Sequence, residues 1–548
     1  MKKSASLIRQ LFSIRSLFGK KYSTQKLSLL TGLTGEKITS KKELHSYYDS
    51  LLFLIAYPDN RTVYELAHHS LRKLDSYIQS HQKIKDKLFN SGLAQTQLCA
   101  AFSFEIVKWI RNKYPEAIRL SSFDADDGQI QSILSVVMPR IESEILQDAN
   151  ETWKSWVKKT MNKGEDMLDR LLAIFGEADI RPDIRDELWG ALGLNVEINL
   201  PSHRGLPASL VTPYFHRSLI KKRSTHITSA VKPVPVNLNE SDAEHIIASA
   251  RMILVHHFRE IDPITFTGNA YVSYYHLPRG LSIALMGMVP ERRTPVDCYM
   301  GYTVFKNGMP VAYAGSWILF DSGRIGLNIF PAYRGGESKY IFEEILNLHR
   351  RVYRLNRFSV DPYQIGKENS DGIHSGAFWI YYHAGFRPFQ KEQQQLAETE
   401  SLKIKSVRGY RSTGSVLKKL AASRMELILQ KKPVQFDATD FSRAFSSILK
   451  ATYDNDHKKA RDHSFIRLAK LLQIKNYHDQ ELQYILRNWC VLLFSNGQEP
   501  QLSRSLKKIL KKLFELKATG REEEYITLLQ QAGELRKLIE NILKNGIN

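Results

Sequence analysis

The stretch Arg324-Ile-Gly-Leu-Asn-Ile-Phe-Pro-Ala-Tyr-Arg-Gly-Gly-Glu-Ser338 decides how this chain is read. Its first half alternates, with Ile325, Leu327 and Ile329 on one side, as a half-buried strand requires. Pro331 stops the strand, and Gly335-Gly336 makes a tight turn. A helix follows, because Ile341, Ile345, Leu348, Val352 and Leu355 fall at helical spacing and form one buried stripe. A glycine turn at a helix start is an anion site, since free backbone N–H groups and the helix dipole both favour negative charge. Gly335 and Gly336 let a phosphate approach the backbone closely, and Arg334 adds a charge-assisted donor.

The flanking sequence extends this pattern. Upstream, strand-like runs cover Leu281–Leu285, Tyr299–Phe305 and Val311–Phe320, and Asn307-Gly308 predicts a type I′ hairpin turn. Downstream, Arg357-Phe-Ser-Val360 reads as a short strand. Asn369-Ser-Asp-Gly372 opens a second helix, and Gly385 ends it before Phe386.

Pro331, Tyr333, Arg334 and Gly335 on the turn, Asn369, and Tyr381 with Gly385-Phe386 together resemble the GNAT superfamily of acyl-CoA N-acyltransferases. The resemblance covers roughly residues 240–392. It implies an acyl-CoA co-substrate, such as acetyl-CoA, with its pyrophosphate held by Arg334, Gly335, Gly336 and Ser338. Its pantetheine arm would lie along Arg324–Phe330, with Asn369 fixing the arm or the helix start. Tyr381 would protonate the leaving thiolate while an unidentified amine attacks the thioester directly. The general base is open among Asp361, His374 and His383. Glu337 departs from the family turn, and a carboxylate there competes with phosphate for the same N–H groups. Read from the residues alone, Tyr381 also reads as a core aromatic and Asn369 as a helix cap. The alternative function is a non-catalytic GNAT-like module that binds nucleic acid or protein.

The expected fold class is α+β: a central GNAT-like mixed sheet with helices, flanked by N-terminal and C-terminal all-helical regions. Residues 1–35 carry Lys and Arg but no Asp or Glu and read as a basic tail. Residues 36–200 read as a helical domain and 201–235 as a Pro-rich basic linker containing Lys221-Lys-Arg223. Residues 236–392 form the acyltransferase-like domain and 393–548 a basic helical domain.

A net charge of +21 favours polyanionic partners, among them nucleic acid reached through the basic helical regions. Three cysteines without metal spacing fit a reducing compartment. No transmembrane segment is expected, and the expected location is cytoplasmic, or organellar if the acid-free N-terminus is a transit peptide. Asp124-Ala-Asp-Asp-Gly128 lacks the spacing of a calcium loop.

Overall fold

A computed structural model describes residues 2–147, 151–202, 205–220, 232–430 and 436–547. The architecture is mixed α+β with helices at both ends. Strands β1 (Gln97–Ala101), β2 (Ile118–Phe123) and β3 (Leu194–Asn199) form a small antiparallel sheet in the order β1-β3-β2. The larger sheet contains β4 (Val234–Val236), β5 (Thr267–Leu277), β6 (Leu281–Met288), β7 (Cys298–Lys306) and β8 (Met309–Leu319). It continues with β9 (Ser322–Ile325), β10 (Asn328–Ile329), β11 (Arg357–Val360), β12 (Arg387–Pro388) and β13 (Met425–Ile428). Its order is β12-β13-β11-β9-β8-β7-β6-β5-β4, with β10 also on β8.

The expected two-residue turn is present. Lys306 pairs with Met309, and Asn307 and Gly308 take φ values of 47° and 80°. Asn307 is held from both sides, donating to the Ala56 carbonyl at 3.0 Å and accepting from the Tyr214 N–H at 2.8 Å.

Parity along β7 and β8 assigns two faces to the sheet. Tyr302 and Ser316 meet His349 of the helix Ser338–Val352. On the opposite face, Pro263 and Ile264 crowd Gly301.

Several expectations about domain organisation need correction. The segment 36–200 is not all-helical, because β1, β2 and β3 are interleaved with its helices. These strands are short, and the strong helical stripes around them mask their period in sequence. Residues 98–200 build their own apolar core, which Met252 and Val255 join. Residues 1–35 are not a tail. Helices Lys2–Ile14 and Lys20–Leu33 bury Ile8, Leu11, Leu30 and Leu33. Lys26 is fully buried against Asp59 at 2.5 Å.

Of the expected linker, the basic cluster Lys221–Arg223 lies outside the described residues. Its described part packs down: Leu206, Leu210 and His216 are buried, and Leu206 N–H donates to Gly308 at 2.9 Å. The C-terminal region is not all-helical either, because β13 inserts between β11 and β12. The boundary expected at residue 392 therefore falls inside the sheet. C-terminal helices also clasp it: Gln530 donates to the Phe320 carbonyl at 2.7 Å, and Trp489 to Pro295 at 2.9 Å. No helix among the described residues is long and apolar enough to cross a membrane.

A chain ending at residue 392 removes β13 and exposes the outer side of β11. Such a chain should lose the cooperative thermal transition of the full protein, followed by far-ultraviolet circular dichroism. Retention of a sharp transition would show that the C-terminal region is dispensable for the sheet.

Candidate functional site

The site begins where a strand breaks. Ser316 pairs with Ile325 and Tyr313 with Asn328, so β9 and β10 keep one register against β8. Ladder pairing lapses only at Gly326-Leu327. On the other side, β9 runs parallel to β11, pairing Ser322–Arg324 with Arg357–Ser359 and no further. Past Arg324 and Ser359 the two strands part, leaving a fork in the sheet.

Two tyrosines meet the broken peptide. The Tyr302 hydroxyl donates to the Gly326 carbonyl. The Tyr381 hydroxyl lies against the Leu327 backbone N–H. Tyr381 is buried, edge-on to Phe342 at 5.0 Å and to Phe386 at 5.9 Å. Burial pushes its pKa up and the Leu327 N–H pulls it back only in part, so the phenol keeps its proton at neutral pH. Tyr381 is thus a core aromatic, as its residue type allows, with its hydroxyl on the side of the broken strand.

The glycine turn lies at the far end of β10. Residues Pro331–Tyr333 form a 3-10 turn, and Gly336 N–H closes on the Tyr333 carbonyl at 3.1 Å. Gly335 has φ +86° and faces open space. Gly336 does not: a Cβ there would stand 2.8 Å from the ring and hydroxyl of Tyr57. Arg334 is exposed, with its guanidinium 3.9 Å from Asp371, and Ser338 opens the helix half-exposed.

Glu337 occupies the helix N-cap yet makes no side-chain cap. Its carboxylate turns inward and is fully buried. Oε1 accepts from Ile220 N–H at 2.9 Å and Arg279 Nη2 at 2.6 Å, and Oε2 meets Lys306 Nζ at 2.7 Å. Burial alone would raise the Glu337 pKa; His216, Lys306 and Arg279 together hold it well below the carboxylate range. We assign most of this to Lys306 and Arg279, because His216 Nε2 stands 3.7 Å away, beyond hydrogen-bond reach. Burial lowers Lys306 to about 8 despite its carboxylate partner. The competition between Glu337 and phosphate expected from sequence is thereby relieved: the side chain does not touch the N–H groups of the first turn.

Asn369 caps the helix Ser370–Ser375. Its Oδ1 accepts from Gly372 N–H at 3.2 Å and its Nδ2 donates to Tyr363 at 3.0 Å, so both ends of the amide are engaged. Asp361 lies 3.4 Å from Arg324, at the fork. His374 is exposed and bound to the Ser370 carbonyl at 2.7 Å. Burial and the charges of Lys339, Lys405 and Arg387 hold His383 below its ordinary pKa. The structure brings Arg334, Gly335, Gly336 and Ser338 together on the turn and puts Tyr381 at the fork. Lys306, Arg279, His216, Tyr57 and Tyr302 were missed. Only Lys306 and Tyr302 had a sequence signal, since both share the parity of Val304 and so face the same side of β7. A cavity of about 710 Å³ lies elsewhere, at the β4–β5 edge beside Asn237, Asn269 and Arg521.

Comparisons of the chain with protein-family models, with curated proteins and with solved structures return no match.

Replacing Glu337 by Gln leaves Lys306 buried without a counter-charge. This should cost about 3–5 kcal/mol of stability in urea denaturation. The pH dependence separates the partners. The folded pKa of Glu337 lies below its unfolded value, so its contribution is present above about pH 4.3 and lost on acidification below it. Lys306 sheds its proton at about 8 when folded, against 10.5 ordinarily, so this group adds stability only as pH rises from about 8. Glu337→Gln should therefore flatten the acid limb of the stability profile.

Proposed function

We propose that the central sheet is an acyl-CoA-dependent N-acyltransferase module, moving an acyl group to an amine acceptor by direct attack in a ternary complex. One observation carries the reading. The Glu337 carboxylate is drawn inward by Lys306 and Arg279, so its side chain does not cap the fifteen-residue helix Ser338–Val352, which starts beside the open Gly335. Such a helix start favours a pyrophosphate. The strand fork leads from there to Tyr381.

In this reading Arg334, Gly335 and Ser338 hold the pyrophosphate of an acyl-CoA, while the Gly336 N–H, expected from sequence to share in this, stays on the Tyr333 carbonyl; Asn369 secures the helix start beside the pantetheine arm. The acceptor nitrogen attacks the thioester carbon. The C–S bond breaks, and the sulfur takes the proton of the Tyr381 hydroxyl. The proton released by the amine leaves through a base, for which Asp361 at the fork is the best-placed carboxylate. Burial keeps the Tyr381 hydroxyl protonated at neutral pH, so the proton is in place when thiolate forms, although the raised pKa makes it a weaker acid.

A second reading rests on Tyr57. Its ring covers Gly336, which favours a non-catalytic module whose basic helical regions bind nucleic acid or protein.

Calorimetry of the full chain with acetyl-CoA separates the two. Gly336→Glu would collide with Tyr57, so Ser338→Glu is the better variant. A carboxylate at that position suits the helix dipole while repelling phosphate. Defined acetyl-CoA binding that Ser338→Glu abolishes without lowering the melting temperature supports acyl transfer. No binding of any CoA ester supports the second reading. In a panel of amines monitored by thiol release, Tyr381→Phe should slow turnover by about 10²–10⁴-fold while acetyl-CoA still binds. Unchanged turnover would remove Tyr381 from the mechanism.

A further inference from the structure

The segment Lys403–Lys419 holds six Lys and Arg residues and no Asp or Glu. All six are exposed. Lys403 is neutralised by Glu400 at 2.9 Å. Lys405, Arg408, Arg411, Lys418 and Lys419 have no ion-pair partner among the described residues. Two aliphatic side chains stand among these cations: Leu402 is 65% exposed and Val407 52% exposed. Leu402 lies near the C-terminal end of the helix Lys391–Ser406, and Val407 is its C-cap. Single exposed apolar residues are ordinary. Two of them within a run of unpaired cations are a specific combination.

The place of this surface is fixed by its neighbours. Lys405 acts on His383 together with Lys339 and Arg387, and Lys339 belongs to the first turn of the helix Ser338–Val352. The following helix, Gly414–Leu420, packs on Ser370–Ser375, with Gly414 facing Ile373. The cationic segment therefore lies beside the helix Ser370–Ser375, whose cap is Asn369.

Its chemistry discriminates among polyanions. Single-stranded nucleic-acid sites pair cations with aromatic stacking platforms. The segment offers a single aromatic residue, the half-buried Tyr410, where such a site needs several rings to stack successive bases. A phosphate backbone also gives Leu402 and Val407 nothing to bury against. An anionic bilayer takes both features: lipid headgroups attract the cations, and aliphatic side chains enter the boundary of the acyl region.

We propose that the C-terminal end of the helix Lys391–Ser406 and the loop after it dock on an anionic lipid surface. Leu402 and Val407 insert, and Lys405, Arg408 and Arg411 lie on the headgroups. This docking does not depend on the acyl-transfer reading. With few anchoring groups it is reversible and sensitive to salt.

The test is co-sedimentation of the full chain with phosphatidylcholine vesicles with and without phosphatidylserine, at low and high salt. Binding should require phosphatidylserine and fall as salt rises. Combined Lys405→Glu, Arg408→Glu and Arg411→Glu should reduce partitioning at least about tenfold. The charge-neutral pair Leu402→Ser and Val407→Ser should reduce it by about tenfold as well. All five positions are exposed, so the variants should melt like the parent protein. The proposal is overturned if the acidic variant partitions normally. It is also overturned if the serine pair leaves partitioning unchanged, since the surface then senses charge alone. Displacement of the chain from vesicles by short RNA, with direct RNA binding lost in the acidic variant, would assign the surface to nucleic acid instead.

Discussion

The glycine turn depends on a buried ion cluster. Glu337 can leave water only because Lys306, Arg279 and the Ile220 N–H satisfy it. An uncompensated buried charge costs several kcal/mol, so the cluster acts as a unit. Its members come from distant parts of the chain: the end of β7, the turn between β5 and β6, and the Pro-rich strap before β4. Tyr57, closing an N-terminal helix, lies against the same backbone at Gly336. The turn that faces solvent at Gly335 is thus held from behind by four separate segments.

The same device recurs at the other junctions. Lys26 with Asp59 joins the second N-terminal helix to the loop after Ala56. Lys517 with Glu522 lies where C-terminal helices meet β7, and Lys517 also donates to the Asp297 carbonyl at 2.7 Å. In each case a lysine is fully buried with a carboxylate, and in the C-terminal pair it is the Lys517 bond to the Asp297 carbonyl that reaches across to β7. Apolar packing would give cohesion at these seams. A charge pair adds registry, because sliding one element past the other would leave an ion unpaired.

The fork between β9 and β11 is supported from both sides. β8 supports β9 and β10 from one side, and β13 supports β11 from the other. The Gly326–Leu327 peptide, released from the ladder, has its carbonyl engaged by Tyr302, and its N–H lies on the side of Tyr381. A backbone group that leaves a sheet must find a partner, and for the Gly326 carbonyl that partner is a phenol. That leaves a polar point inside an apolar sheet, the kind of place where chemistry can be sited.

Local sequence determined the parts whose cause is local. The Asn307-Gly308 hairpin follows from backbone sterics, the Ser338–Val352 helix from its apolar period, and the turn from Pro331 and its glycines. It also placed Arg334, Gly335, Gly336 and Ser338 on one turn, because neighbours in sequence remain neighbours there. Only the tertiary structure decided where Glu337 points. That depends on Lys306 and Arg279, some thirty and sixty residues away, whose approach is set by strand pairing. It likewise decided that Tyr57 covers Gly336 and that β13 completes the sheet from beyond residue 392. Electrostatic pairing and sheet closure act across space, and one chain read in order carries no mark of which distant charge will meet which.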